Sequence, residues 1–408
     1  MTPLSRPPYP MTALLRALTR RAAALPLREV EAAYAEALGV SDAVLLPSCR
    51  SAIGVALLSA GAPAVASAFT CATVWQAARF ARAPLTILDT AADGFLMSAE
   101  SVRAAAPGAA LILSEVFGYT YELAALPTVG PNGPALRIVD MAMSVPSRER
   151  LSALASADVA TLSFGSRKCL SAGWGGMVLT RDPDRAARLR ELRAERMHPA
   201  ARRESRRRAA RLIGVQLTRG PLVYGALATW RRLPRRTGPV QAAVAAGGAL
   251  PADVFGEDWS SLPTAFERDL MLRNLARLDE LAARRRRLAG VYRQELSGVG
   301  WITLPPPANE PLSHFTVRVS AELREPLRAW LAAGGIETGR LFFFSQRLAP
   351  ADHPHARRLS DEVVNLPLDP RLTEACVAGI SRRVAAFSPS RAGDGVGAVG
   401  VARAEAMP

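Results

Sequence analysis

Seven short apolar segments, each bounded by turn signals or by a helix-length stretch, constrain what this chain can fold into. They are AVLLP (43–47), PAVAS (63–67), LTIL (85–88), AALILSEV (109–116), LRIVD (136–140), VATLSF (159–164) and GMVLT (176–180). Runs this short and this apolar suit strands buried on both faces, and strands that alternate with helices form a mostly parallel sheet. The expected class is α/β, with a large domain built on that sheet. A long helical stretch (269–296), a strand HFTVRVS, a helix around LREPLRAWLAAGG, a loop, and the helix RLTEACVAGISRRVAAF then suggest a smaller C-terminal α+β domain. With 408 residues at 49% apolar composition, a disulfide-stapled scaffold and a disordered chain are both excluded. The expected division is a basic helical segment at 1–30, a large domain at 31–262 with an arginine-rich insertion at 185–262, a linking helix with the small domain at 263–387, and a disordered tail at 388–408.

The formal net charge of +15 invites a nucleic-acid reading, and its distribution argues against nucleic acid as the main partner. Residues 185–236 carry sixteen arginines against Glu191, Glu195 and Glu204, so one segment holds nearly all the excess and the remainder is almost neutral. Within 202–236, arginine clusters flank the apolar LIGVQLTRGPLVYGALATW. That pattern fits an insertion packed on a partner subunit with its arginines toward water or the neighbour's acidic groups, a peripheral membrane contact or lipid-linked acceptor, or a site for an anionic substrate or nucleic acid. Four scattered cysteines with no CxxC pair fit reduced thiols in a cytoplasm. No metal site is expected, because the HPH at 353–355 lacks cysteine partners and fits a surface loop. No signal peptide and no membrane-spanning run is evident.

Among 51 basic residues Lys168 is the single lysine. A coding bias toward arginine explains the skew, and a lysine that survives it suggests a task arginine cannot perform. A guanidinium does not serve as an amine nucleophile, whereas a Schiff base requires one. Lys168 follows the sixth strand and precedes a glycine-rich turn, and Asp140 ends the fifth. Ligand crevices of α/β sheets lie at the carboxyl ends of the strands, so both residues fall where such a crevice forms. An amine for an aldehyde and a carboxylate for a pyridine nitrogen are the two requirements of pyridoxal 5'-phosphate (PLP). Ser51 and Ala52, at the start of a helix, and Ser163 supply donors for a phosphate. Phosphate-loop, nucleophile-elbow and dinucleotide motifs are absent; GWGG (173–176) precedes a strand instead of following one.

Taken in order, LREVEAAYAEALGVSDAVLLPSCRSAI, IVDMA, SFGSRKCLSAGWGGMVLTRD, LARLDELAARRRRLAGVYRQEL, GGIETG and DEVVNLPLDPRLTE resemble the DegT/DnrJ/StrS family of PLP-dependent, fold-type I sugar aminotransferases. The resemblance runs from about residue 27 to 387. It implies that Lys168 forms the Schiff base, that Asp140 pairs with the pyridinium nitrogen, and that Ser51, Ala52 and Ser163 bind the phosphate. It also implies a homodimer that moves an amino group from glutamate or glutamine to a keto-sugar, nucleotide-linked or free, or to a related cyclic or small carbonyl acceptor. Thr70 stands where the family usually has a ring-stacking aromatic, with Phe69 and Trp75 as neighbouring substitutes, and Met143 stands where it has Gln. Arg50-Ser51 replaces a Gly-Thr turn, Glu115 a histidine, Phe266 a partner-subunit Asn, and Leu341-Phe342 a His-Tyr pair. These departures keep two alternatives open: a relative that ends in dehydration or elimination, and a catalytically inactive membrane-associated scaffold. Lys168 speaks for amino transfer, since a dehydratase branch of the family replaces that lysine.

Overall fold

The alternating segments assemble into one twisted sheet. In the computed structural model, residues 2–4, 11–18, 25–218, 257–304, 306–308, 310–342, 348 and 351–389 are described. Asp42–Leu46 (β1), Ala64–Ser67 (β2), Leu85–Leu88 (β3), Ala110–Ser114 (β4), Leu136–Asp140 (β5), Val159–Ser163 (β6) and Gly176–Thr180 (β7) lie in the order β1-β7-β6-β5-β4-β2-β3. Neighbours from β3 through β6 run parallel, and β7 runs antiparallel to both β6 and β1. The loop 164–175 carries no helix, so β7 returns beside β6 in the opposite sense, whereas parallel neighbours need a crossover. Alternate residues of each strand feed opposite layers: Val65, Leu111, Val139 and Leu162 pack on one face, and Val44, Ala66, Ile112 and Val178 on the other.

The helix Cys49–Ala60 leaves β1 at Ser48. Ser48 Oγ accepts from Ser51 N at 3.2 Å while Ser48 N donates to Ser51 Oγ at 2.8 Å, a reciprocal cap that fixes where the helix starts. Beyond the large sheet, Phe315–Arg318 (β8) and Val363–Leu366 (β9) form an antiparallel pair over their own core of Leu288, Tyr292, Leu327, Leu331 and Val377.

One stretch differs from the sequence expectation. The loop expected between the helices at 323–335 and 371–387 contains the helix Pro354–Glu362 and β9. That helix is capped from a distant part of the chain: Asp89 Oδ2 and Oδ1 accept from His355 N and Ala356 N at 2.9 and 2.8 Å. His353 lies against Ile87 O at 3.2 Å, so the HPH turn is half-buried and docked on the large domain instead of free at the surface.

Part of the arginine-rich segment is structural. Arg193 and Arg190 of the helix Pro183–Arg196 pair with Glu31 and Asp42, and Glu31, only 2% exposed, also accepts from Leu45 N at 2.8 Å. These guanidiniums tie the helix to β1 rather than facing solvent. A second helix, Arg202–Thr218, follows. Residues 219–236 of the basic segment, most of the Gly/Pro/Ala-rich passage after it, the centre of RLFFFSQRL, part of the N-terminal segment and the tail from 390 lie outside the described residues. Among the described residues no helix is long and apolar enough to cross a membrane, and no metal-ligand cluster is present.

Candidate active site

At the carboxyl ends of β4, β5 and β6 the structure holds a cavity of about 850 Å³, within the range of small-molecule and cofactor sites. Lys168, Asp140, Ser163, Thr70 and Met143 all line it. Lys168 sits in the turn after β6, with its N–H on Gly165 O at 3.0 Å, and that loop closes through Ala172 N on Phe164 O at 2.8 Å. The glycines of GWGG serve this turn. Gly173 and Gly175 take φ of +91° and +116°, conformations that L side chains rarely adopt. A Cβ on Gly176 would stand 2.2 Å from Ser48 C, so only glycine lets β7 pass beneath the start of the helix Cys49–Ala60.

Asp140 is buried and closely held. Its Oδ2 accepts from Ser114 Oγ at 3.2 Å, and its Oδ1 accepts from Ala142 N at 3.1 Å and from Thr161 Oγ1 and Cys49 Sγ at 3.5 Å each. Thr70 Oγ1 in turn donates to Ser114 Oγ at 3.0 Å, so the residue at the ring-stacking position belongs to a hydroxyl chain that ends on the carboxylate. Burial, with the Asp140 charge beside it, pushes the Cys49 thiol well above the usual range.

Ser51 and Ala52 are fully buried and do not line the cavity: Ser51 spends its hydroxyl on the helix cap, where it also donates to Ser48 O at 2.8 Å. From the same turn, Ser48 and Arg50 face the cavity instead. Phe69 and Trp75 do not line it either. Phe69 is enclosed by Phe95, Phe117 and Phe342, and Trp75 donates to Ser67 O at 3.2 Å. Phe266 is buried in the core, whereas Phe342 reaches the cavity wall.

Several lining residues carry no motif of their own. Arg207, Arg208, Arg211, Leu212 and Val215 share one face of the helix Arg202–Thr218, which forms a wall of the cavity. Their helical spacing was the available signal, but nothing local tells which face turns inward. Arg208 pairs with Glu204 and stacks on Trp174 at 3.6 Å from the ring centroid, and Leu212 packs over Gly173. Glu115 is 1% exposed, paired with Arg150, and pushed by burial to a pKa of about 7. His314, also buried, is pushed down to about 3 by desolvation and by the Arg285 and Lys168 charges, so it is neutral at physiological pH.

The donor set fits pyridoxal phosphate. One cavity offers an amine, a carboxylate fixed by four donors, the hydroxyls of Ser48, Ser163 and Ser166, and the amino end of a helix.

Comparison with known proteins agrees with this arrangement. The model of the DegT/DnrJ/EryC1/StrS aminotransferase family matches residues 25–217 and 265–385. The chain belongs to this family. Members of the family are PLP-dependent. GDP-perosamine synthase of Caulobacter vibrioides is 25% identical over 383 residues, 88% of each protein. Among solved structures, the aminotransferase TlmJ from Streptoalloteichus hindustanus superposes with a TM-score of 0.67 at 20% identity, covering 95% of this chain and 98% of TlmJ. S. venezuelae DesV, in complex with a ketimine intermediate, gives 0.65 at 23% identity over 93% and 94%. The family member described here shares their α/β fold.

Proposed function

We propose that this protein is a PLP-dependent aminotransferase that moves an amino group from glutamate or glutamine to a keto-sugar, and that it works as a homodimer. The observation that carries the reading is the convergence of Lys168 and Asp140, twenty-eight positions apart in sequence, on one cavity at the carboxyl ends of adjacent strands. When bound, pyridoxal phosphate supplies an aldehyde for amine exchange and a ring that withdraws electrons from the substrate carbon.

The chain's own groups divide the remaining work. Lys168 Nζ is the amine that would hold the cofactor and, once displaced by the donor's amine, the base that moves a proton at the substrate carbon. Such a transfer contributes roughly a hundred- to ten-thousandfold in rate. Asp140 is the partner for the ring nitrogen, and its hydrogen bonds to Ser114, Thr161 and Ala142 keep its oxygens in place. Ser48, Ser163 and Ser166, with Arg50, are the groups on the cavity wall suited to the phosphate. Arg207 and Arg211 add positive charge to the wall, which suits an acceptor carrying phosphate groups; a nucleotide-linked sugar such as the one named in GDP-perosamine synthase has that chemistry. The ring of Phe342 provides uncharged surface on the wall.

The test is spectroscopic. Purified protein incubated with PLP should gain a visible absorbance band, lose it on addition of glutamate, and recover it with a keto-sugar acceptor. Lys168→Arg should bind PLP without forming the band. Protein that remains colourless after incubation with PLP overturns the reading.

A further inference from the structure

Glu115 stands beside Asp140 on the cavity wall, yet nothing in the chemistry above uses it. Its backbone N–H donates to Asp140 O at 2.9 Å, which fixes the two residues side by side at the ends of β4 and β5. Its side chain is fully buried. Oε1 accepts from Arg150 Nε at 2.9 Å and from Arg150 Nη2, which also reaches Tyr121 O at 3.1 Å. Oε2 is buried with no hydrogen-bond partner among the described residues. A buried carboxylate oxygen left without a donor costs free energy unless it holds a proton or meets a ligand.

We propose that Glu115 is a positioning residue whose proton sets the charge beside Asp140, and through it how strongly the site holds a cationic ring nitrogen. This rests on the cofactor reading above. With its proton, Glu115 is neutral and no longer offsets the Arg150 guanidinium near Asp140, which opposes a second cation there. Without it, the Glu115–Arg150 pair is neutral and Asp140 attracts the ring nitrogen with its full charge. The groups that face Glu115 are Arg150 from the short helix Arg148–Ser152, Glu310 before β8, Tyr121, and Asp140 itself; Arg286 and Glu149 act in turn on Glu310, and Lys168 shares the cavity wall. Burial raises the affinity of Glu115 for its proton, Arg150 opposes this, and Glu310 and Asp140 add to it, which places the exchange at about pH 7.

The experiment compares PLP dissociation constants of the wild type and Glu115→Gln from pH 5.5 to 8.5. Glutamine copies the protonated acid, so the ratio of the two constants cancels the titration of PLP itself. The two proteins should bind alike below about pH 6, and the wild type should bind at least about tenfold more tightly above pH 8, as expected for one unit charge acting across about 10 Å at an effective dielectric constant near 20. Glu115→Asp, which restores a titrating carboxylate, should restore a pH-dependent ratio. Arg150→Gln should move the wild-type transition to higher pH, because it removes the cation that opposes the proton; a merely structural role for the pair would not. A ratio that stays constant across this range, with PLP bound by both proteins, overturns the proposal and leaves the cofactor assignment standing. A wild type that does not bind PLP overturns both.

Discussion

Cys49 Sγ stands 3.5 Å from Asp140 Oδ1, and Thr161 Oγ1 stands 3.5 Å from each of them. The thiol is therefore a weak donor packed against a carboxylate, and although Cys49 borders the cavity the same contact makes it a poor nucleophile, because a thiolate there would be buried beside the Asp140 charge. Labelling of the native protein with a thiol reagent at pH 8 should modify the exposed Cys376 first and leave Cys49 untouched until the protein unfolds. Cys71, half-buried on the cavity wall, should react at an intermediate rate, and saturating PLP should slow it. Rapid modification of native Cys49, read by peptide mass spectrometry, would contradict this arrangement.

Gly176→Ala should be among the most damaging single-methyl additions in the chain. The added carbon meets backbone atoms of Ser48 and Cys49 at 2.2 and 2.3 Å, and neither can swing aside like the tip of a side chain. Either β7 or the amino end of the helix Cys49–Ala60 must move, so stability should fall by about 3 kcal/mol, the upper end of ordinary overpacking. PLP affinity should fall in parallel because Ser48 and Arg50 move with that turn. Urea unfolding and a PLP titration read the two effects. Gly61→Ala provides contrast: no atom lies within 4 Å of the added carbon, so the cost is the left-handed backbone alone, about 1 kcal/mol.

The proton on Glu115 has a stability consequence that does not depend on any ligand. Its folded pKa is raised from 4.5 to about 7, mainly by burial. Between those values the native state keeps a proton that the unfolded chain has lost. The contribution is fully present below pH 4.5 and disappears as pH rises through 7, so the wild type should lose about 3 kcal/mol over that interval relative to Glu115→Gln. Urea midpoints of the two proteins at pH 5, 6, 7 and 8 measure this difference in slope. Parallel curves would show that Glu115 titrates normally.

The sheet was legible in the sequence because it is buried on both faces. Each of the seven apolar runs is a strand, and Asp140 and Lys168 could be placed on one edge from strand ends alone. What was not legible is what depends on contacts between distant segments. The helix Pro354–Glu362 begins where Asp89 meets two amides 266 and 267 positions away, and no local signal encodes such a cap. Ser51 followed the pattern of a phosphate ligand, but the serine three residues before it takes its hydroxyl for a capping box, and the cavity face falls to Ser48 and Arg50. The basic segment was visible as a charge excess. Its division into arginines that tie a helix to β1 and arginines that wall the cavity follows from which helix face meets which neighbour.

Arg137 shows the same limit inside a strand, and it leads to the sharpest stability test. It interrupts the apolar LRIVD yet is only 2% exposed. Its Nε and Nη2 donate to the two oxygens of Asp158 at 2.7 and 2.5 Å, and its Nη1 donates to Leu123 O at 3.0 Å. Asp158, fully buried immediately before β6, also accepts from Ala155 N at 2.9 Å. The fork therefore joins β5 to β6, the two strands that end at Asp140 and at the Lys168 turn. Removing one partner leaves the other charge buried and uncompensated, so Asp158→Ala should cost about 3–5 kcal/mol. Replacing both, as Arg137→Met with Asp158→Leu, removes the charges together and should be more stable than either single variant, because the desolvation penalty vanishes with the pair. Urea unfolding of the three variants decides the matter, and a double variant that loses the sum of the two single losses would show that the ion pair is not a coupled unit.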